Sequence, residues 1–165
     1  MVIVPTRQKA AALIVAILVA LSLATASPAD AVPNYKTASL GSRTSSTISY
    51  AGTDNYGDRY AITATANLSS NTSTSVRVSS VKVCYSGARN SSIHVHPWIR
   101  NTSRSSIWAA SGYRSFTYTS QAVCQTWSVN KTITKPSNSS HDIFRLTLNI
   151  KSAQGTYAPI FAWYR

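Results

Sequence analysis

Hydrophobic and polar residues alternate through most of the chain beyond residue 45. Tyr60, Ile62, Ala64, Ala66 and Leu68 share one parity, with Thr63, Thr65 and Asn67 on the other. Phe144, Leu146, Leu148 and Ile150 repeat the arrangement against Arg145, Thr147, Asn149 and Lys151. A period of two sends neighbouring side chains to opposite faces of an extended chain. Each segment therefore predicts a half-buried antiparallel strand, apolar inward and polar outward. Between Ser75 and Tyr85 the phase slips, because Val76 and Val78 are even while Val81, Val83 and Tyr85 are odd. One extra residue produces such a slip, which predicts a β-bulge at Ser79-Ser80.

Further strands are expected at 92–100, 113–119, 121–133 and 157–164, with a short one near Thr47–Tyr50. The breaks at 52–57, 69–74, 86–91, 101–106 and 135–140 are polar and rich in Gly, Asn and Ser. Seven or eight short strands at this spacing, with no sustained helical period, predict an all-β antiparallel sandwich or jelly roll. The segment Ile160-Phe161-Ala162-Trp163-Tyr164 is apolar in both parities. It predicts a central strand covered on both faces.

The N-terminus follows a different logic. Arg7 and Lys9 precede an uncharged apolar stretch from Ala10 to Ala26, and Ala29-Asp30-Ala31 follows. A basic segment, an apolar segment and small residues at a cleavage position form a secretory signal peptide, cut after Ala31, with Ala24-Thr25-Ala26 as a second possible site. The alternative is retention as an anchor, although the stretch falls just short of the roughly 20 residues of a membrane span. The expected organisation is a signal peptide over 1–31, a flexible segment over 32–45 and one β-sandwich domain over 46–165. No later segment reads as a transmembrane span.

Export changes the reading of the two cysteines. In an oxidising compartment Cys84 and Cys124 are expected to form a disulfide rather than a catalytic thiol. Closing a loop of this size removes roughly 4 kcal/mol of unfolded-state freedom in the chain-entropy description.

Charge narrows the partners. The sequence carries sixteen Lys and Arg against four Asp, with no Glu. Without residues 1–31, fourteen basic and three acidic residues remain, a balance of +11. For an exported protein this favours an anionic extracellular polymer or cell surface, such as a wall polymer or an acidic glycan. The basic residues are scattered and accompany no nucleic-acid-binding motif, so sequence-specific nucleic-acid recognition is not expected.

The densest candidate chemistry is I-H-V-H-P-W-I-R at 93–100. Residues two apart on a strand share a face, so His94 and His96 could reach one ion together. The triplet His94-Val95-His96 resembles the copper-ligand strand of copper/zinc superoxide dismutase, a β-sandwich with a disulfide. That family needs more histidines than the three present here, together with an acidic ligand. Cupins pair the same H-x-H with a downstream glutamate, and glutamate is absent from this chain. Only His141 and Asp142 remain as obvious further donors, which leaves a site on His94, His96 and His141 short of ligands.

With Ile93, Val95 and Ile99 facing a core, the opposite parity presents His94, His96, Trp98 and Arg100. Pro97 cannot donate to a ladder, which places this strand at a sheet edge or at a bend. An exposed indole beside guanidinium and imidazole can stack on a ring and bind an anion. The competing interpretation has Trp98 filling a satellite core with the histidines as solvated neighbours. Tyr113 and Arg114 form a second aromatic–basic pair.

Enzymatic arrangements are thinly supplied. Carboxylates for glycoside cleavage would have to come from Asp54, Asp58 and Asp142, and no G-x-S-x-G, C-x-x-C or phosphate loop occurs. The leading expectation is a secreted, basic, non-enzymatic β-sandwich that binds an anionic extracellular polymer without a cofactor, through His94, His96, Trp98, Arg100, Tyr113 and Arg114. A secreted toxin or antimicrobial protein acting on anionic membranes is the second reading. A metal-dependent enzyme using His94 and His96 is the third.

Overall fold

The computed structural model describes residues 35–53, 59–87, 92–103, 105–117, 122–138, 141–152 and 155–165. The expected signal peptide and its cleavage site lie outside these residues, as do Asp54 and Asp58. Strands dominate, and the described residues contain no helix. In chain order the strands are β1 (Tyr35–Ser39), β2 (Ser45–Thr53), β3 (Arg59–Asn71), β4 (Ser75–Gly87), β5 (Ser92–Arg100) and β6 (Ser106–Ala109). They continue with β7 (Arg114–Thr117), β8 (Val123–Thr134), β9 (Asp142–Ser152), β10 (Gly155–Tyr157) and β11 (Ile160–Tyr164).

Two sheets share one core. The first runs β1-β11-β9-β5-β6, with β10 also on β9 and β7 also on β5. The second runs β2-β3-β4-β8. From the first sheet Ile93, Val95, Ile99, Phe116, Phe144, Leu146, Leu148, Ile150, Phe161 and Trp163 point inward and are fully buried or nearly so. From the second, Ile62, Ala64, Ala66, Val76, Val78, Val81 and Val83 meet them. The alternation seen in the sequence is thus the inner and outer faces of a sandwich. At one end Tyr60 packs against Tyr50, Tyr85 and Tyr157 with ring centroids 6.0, 6.5 and 6.2 Å away.

The phase slip in β4 is a bulge. Asn67 pairs Ser80 and Leu68 pairs Val78, so Ser79 has no rung on β3. The irregularity crosses to β8, where Ser128 pairs Ser80 and Lys131 pairs Val78. Two β8 residues there face one on β4, and Asn130 takes a left-handed conformation (φ 51°). Asn tolerates that region better than most residues.

Several expectations need correction. More strands form than the seven or eight anticipated, because the expected 157–164 strand divides at Pro159 and β6 was not foreseen. The segment assigned as a flexible lead-in, 32–45, is from Tyr35 onward a strand and a corner. β1 pairs β11 in parallel, from Tyr35 on Ile160 to Ser39 on Tyr164. Leu40 is then fully buried, and its N–H donates to the Tyr164 carbonyl at 2.8 Å. The chain next turns through Gly41 (φ 51°) towards the second sheet. The Asn71 side-chain amide donates to the Gly41 and Arg43 carbonyls at 3.0 and 2.9 Å, which satisfies the turn.

Pro97 does not mark a sheet edge. β5 is flanked by β9 on one side and by β6 and β7 on the other. The β7 rungs end at Val95–Arg114 and the β6 rungs begin at Trp98–Ala109. The Pro97 carbonyl accepts from Ala110 N–H at 3.0 Å, on the β6–β7 side. Its donorless nitrogen faces the same way, into the gap between the two short strands. An interior strand tolerates proline here because the flanking strand is interrupted at that rung.

The cysteines are joined as expected. Cys84 on β4 and Cys124 on β8 are directly opposite one another, with Cα atoms 4.0 Å apart. Their neighbours Val83 and Tyr85 point inward, so the bridge staples two adjacent strands on the outer face rather than the two sheets.

Candidate functional site

β5 and β9 run side by side through the first sheet, and their polar parities form one outer face. Register places His94 opposite Lys151, His96 opposite Asn149, Trp98 opposite Thr147 and Arg100 opposite Arg145. Directly opposite residues point to the same side, so two imidazoles, one lysine, two arginines and one indole share this surface. The sequence-derived stripe of His94, His96, Trp98 and Arg100 is therefore a real face of the sheet.

The stripe is internally organised. The Trp98 indole N–H donates to His96 Nδ1. His96 Nε2 lies 2.7 Å from the Ala110 carbonyl oxygen, so it must carry the ring proton and donate. The Tyr113 ring packs 5.2 Å from the imidazole, and Lys151 Nζ lies 4.6 Å from the Tyr113 ring centroid. The Arg100 guanidinium sits 4.9 Å from the Trp98 ring centroid. His94 is exposed, with Nδ1 2.9 Å from the Ser115 hydroxyl. Trp98 is thus half-buried by its own neighbours on the face rather than folded into a separate core.

Charge on this face is poorly compensated. Arg100 and Arg145 are cross-strand partners of like sign whose guanidinium groups diverge, Arg100 onto the Trp98 ring and Arg145 to 5.4 Å from the Tyr35 ring centroid. Arg145 Nε donates to Asp142 at 2.5 Å, the sole ion pair among the described residues. Asp142 also accepts from the Tyr35 hydroxyl at 2.7 Å. Burial, and then the hydrogen bond to Asp142, push the Tyr35 phenol up to about 12. Arg100 has no such partner, and its Nε is buried without a hydrogen bond.

Arg114 departs from the expected set. It stands opposite Val95 and so points to the inner side of the sheet, away from Tyr113. There its Nη1 donates to the Thr126 carbonyl at 2.7 Å, and its guanidinium sits 4.9 Å from the Trp127 ring centroid. It helps line a groove of about 380 Å³ between the β6–β7 corner and β8, together with Trp108, Ser111, Thr126, Trp127 and Ser128. Trp108 and Trp127, which line this groove, were not singled out by the sequence. Both occupy apolar strand positions, and nothing in alternation separates a core tryptophan from one bordering a cleft.

The three histidines do not converge. His94 stands at the Lys151 rung and His141 precedes Asp142 at the other end of β9. About nine residues of strand separate these levels, roughly 30 Å. Both His96 nitrogens are engaged, and no group of three His, Cys, Asp or Glu among the described residues could hold a metal ion. A metal site shared by His94, His96 and His141 therefore has no geometric basis among the described residues. Comparison with protein-family models, curated proteins and solved structures found no match to this chain.

Proposed function

We propose that the protein is an exported, non-enzymatic binding protein for an anionic extracellular polymer, and that the outer face of β5 and β9 is its contact surface. The observation that carries this reading is the Arg100–Arg145 rung. The two residues are paired directly across the strands, Asp142 answers Arg145, and the Arg100 charge has no described carboxylate paired with it. A chain of carboxylates or phosphates running along the stripe would supply counter-charges, from Arg100 at one end to Lys151 at the other. Trp98 and Tyr113 add aromatic surface between the charges. The balance of +11 that remains without residues 1–31 draws such a polymer from a distance.

Titration with a teichoic acid, a polyuronate and duplex DNA, each from low to high salt, tests the proposal. Binding to a wall polymer or acidic glycan should weaken steeply as salt rises, and Arg100→Gln should weaken it roughly tenfold through loss of a charge-assisted contact. Absence of binding at low salt, or binding that salt and Arg100→Gln leave unchanged, would sink it. Leakage from anionic vesicles without polymer binding would transfer the charge argument to a membrane-active protein.

A further inference from the structure

The groove between the β6–β7 corner and β8 lies on the side of the first sheet away from the stripe. We infer that it is a second binding site, taking a single carboxylate-bearing sugar residue with the carboxylate on Arg114 and the ring against Trp108. Its volume of about 380 Å³ falls within the range of roughly 300–1,000 Å³ typical of small-molecule sites.

The lining matches that ligand in kind. A pyranose has apolar C–H faces and a rim of hydroxyls. The groove is lined chiefly by polar surface, with the half-buried Trp108 at its border and Ser111, Thr126 and Ser128 among its other lining residues. Arg114 is held in place before any ligand arrives, because it donates to the Thr126 carbonyl and rests on the Trp127 ring. Phe116 stacks on Trp127 at 6.2 Å and fixes that platform in turn. No carboxylate lines the groove, and the Arg114 charge is unanswered by any described acid. A planar guanidinium with free donors takes a carboxylate in a two-point contact.

Position supports a link to the stripe. Ala110 accepts from His96 with its carbonyl and also borders the groove. Tyr113 and Arg114, adjacent in sequence, project to the stripe and to the groove respectively. One flexible chain could therefore cross the stripe, turn the sheet edge at Tyr113 and place its next charged residue on Arg114. The second contact would then benefit from a high effective concentration. The choice of a sugar acid rests on the anionic-polymer reading; the existence of the site does not.

Glucuronate, glucose and inorganic phosphate titrated separately against the intact protein test the inference. Binding is followed through the four tryptophan indole N–H resonances. Glucuronate should shift the Trp108 and Trp127 signals saturably and leave Trp163 unmoved, while glucose at equal concentration should not. Arg114→Gln should weaken glucuronate binding roughly tenfold or more, and substitution of the exposed Arg43 at the Gly41 corner, Arg43→Gln, should leave it unchanged. No saturable shift, an unaffected Arg114→Gln variant, or equal response to phosphate alone overturns the site. Polymer binding without a glucuronate response rejects the groove and leaves the stripe standing. A glucuronate response without polymer binding does the reverse.

Discussion

Trp98 and His96, two residues apart on β5, are hydrogen-bonded to each other, with the indole N–H donating to the imidazole Nδ1. Because Nε2 of the same ring donates to the Ala110 carbonyl, His96 bridges the strand to the β6–β7 corner. His96→Ala removes an acceptor, a donor and the ring against which Tyr113 packs. The expected cost is about 1–2 kcal/mol, since Trp98 is only half-buried and water can replace part of the loss. Thermal unfolding should show a midpoint several degrees lower. An unchanged midpoint would mean that the bridge is incidental to stability.

The Tyr35–Asp142–Arg145 cluster makes stability depend on pH at the alkaline end. The Tyr35 phenol is raised from 10.0 to about 12 in the folded protein, by burial first and then by its bond to Asp142. The folded state thus holds this proton more tightly than the unfolded state does. The associated stabilisation is complete below about pH 10 and disappears as pH climbs towards 12. Tyr35→Phe should flatten part of the alkaline loss in denaturant midpoints measured between those values. Some slope should persist, because burial and a hydrogen bond with Tyr50 also raise the Tyr60 phenol.

Removing the outer-face staple gives a third outcome. Reduction, or paired Cys84→Ser and Cys124→Ser substitution, frees a loop spanning 40 residues and should cost up to roughly 4 kcal/mol. Denaturant unfolding of the oxidised and reduced forms measures it. The intact mass of the purified protein should be two hydrogens below the dithiol value.

Deletion after Thr156 should abolish folding. β11 lies between β1 and β9 and contributes the fully buried Phe161 and Trp163, with Trp163 stacked 4.9 Å from Phe144. Without it β1 loses its only ladder partner among the described strands. A truncated protein with native circular dichroism and a cooperative melt would contradict this placement.

Much of the architecture was legible because a strand with one wet face has to alternate. The bulge was legible for the same reason, since Val78 and Val81 could not both face inward without an extra residue between them. The stripe His94, His96, Trp98 and Arg100 followed from parity on a strand whose other parity is Ile and Val. β1 was less legible: Tyr35-Lys36-Thr37-Ala38-Ser39 is mostly polar and partly exposed, and its place depends on backbone pairing with β11 and on Asp142, more than a hundred residues away. Pro97 misled because a proline rule reads one strand at a time. Whether the missing donor matters depends on where the neighbouring strands begin and end.

The sequence by itself determined which side chains face inward, where the phase breaks, which two cysteines can pair and how basic the chain is. All four depend on local period or on simple counting. Tertiary structure alone decided which strands became neighbours. Register put Arg100 beside Arg145 and His94 beside Lys151, turned Arg114 away from Tyr113 and towards Trp127, and held His141 far from the other histidines. Alternation specifies a face for every residue, but pairing across strands sets its partner, and charge acts between partners.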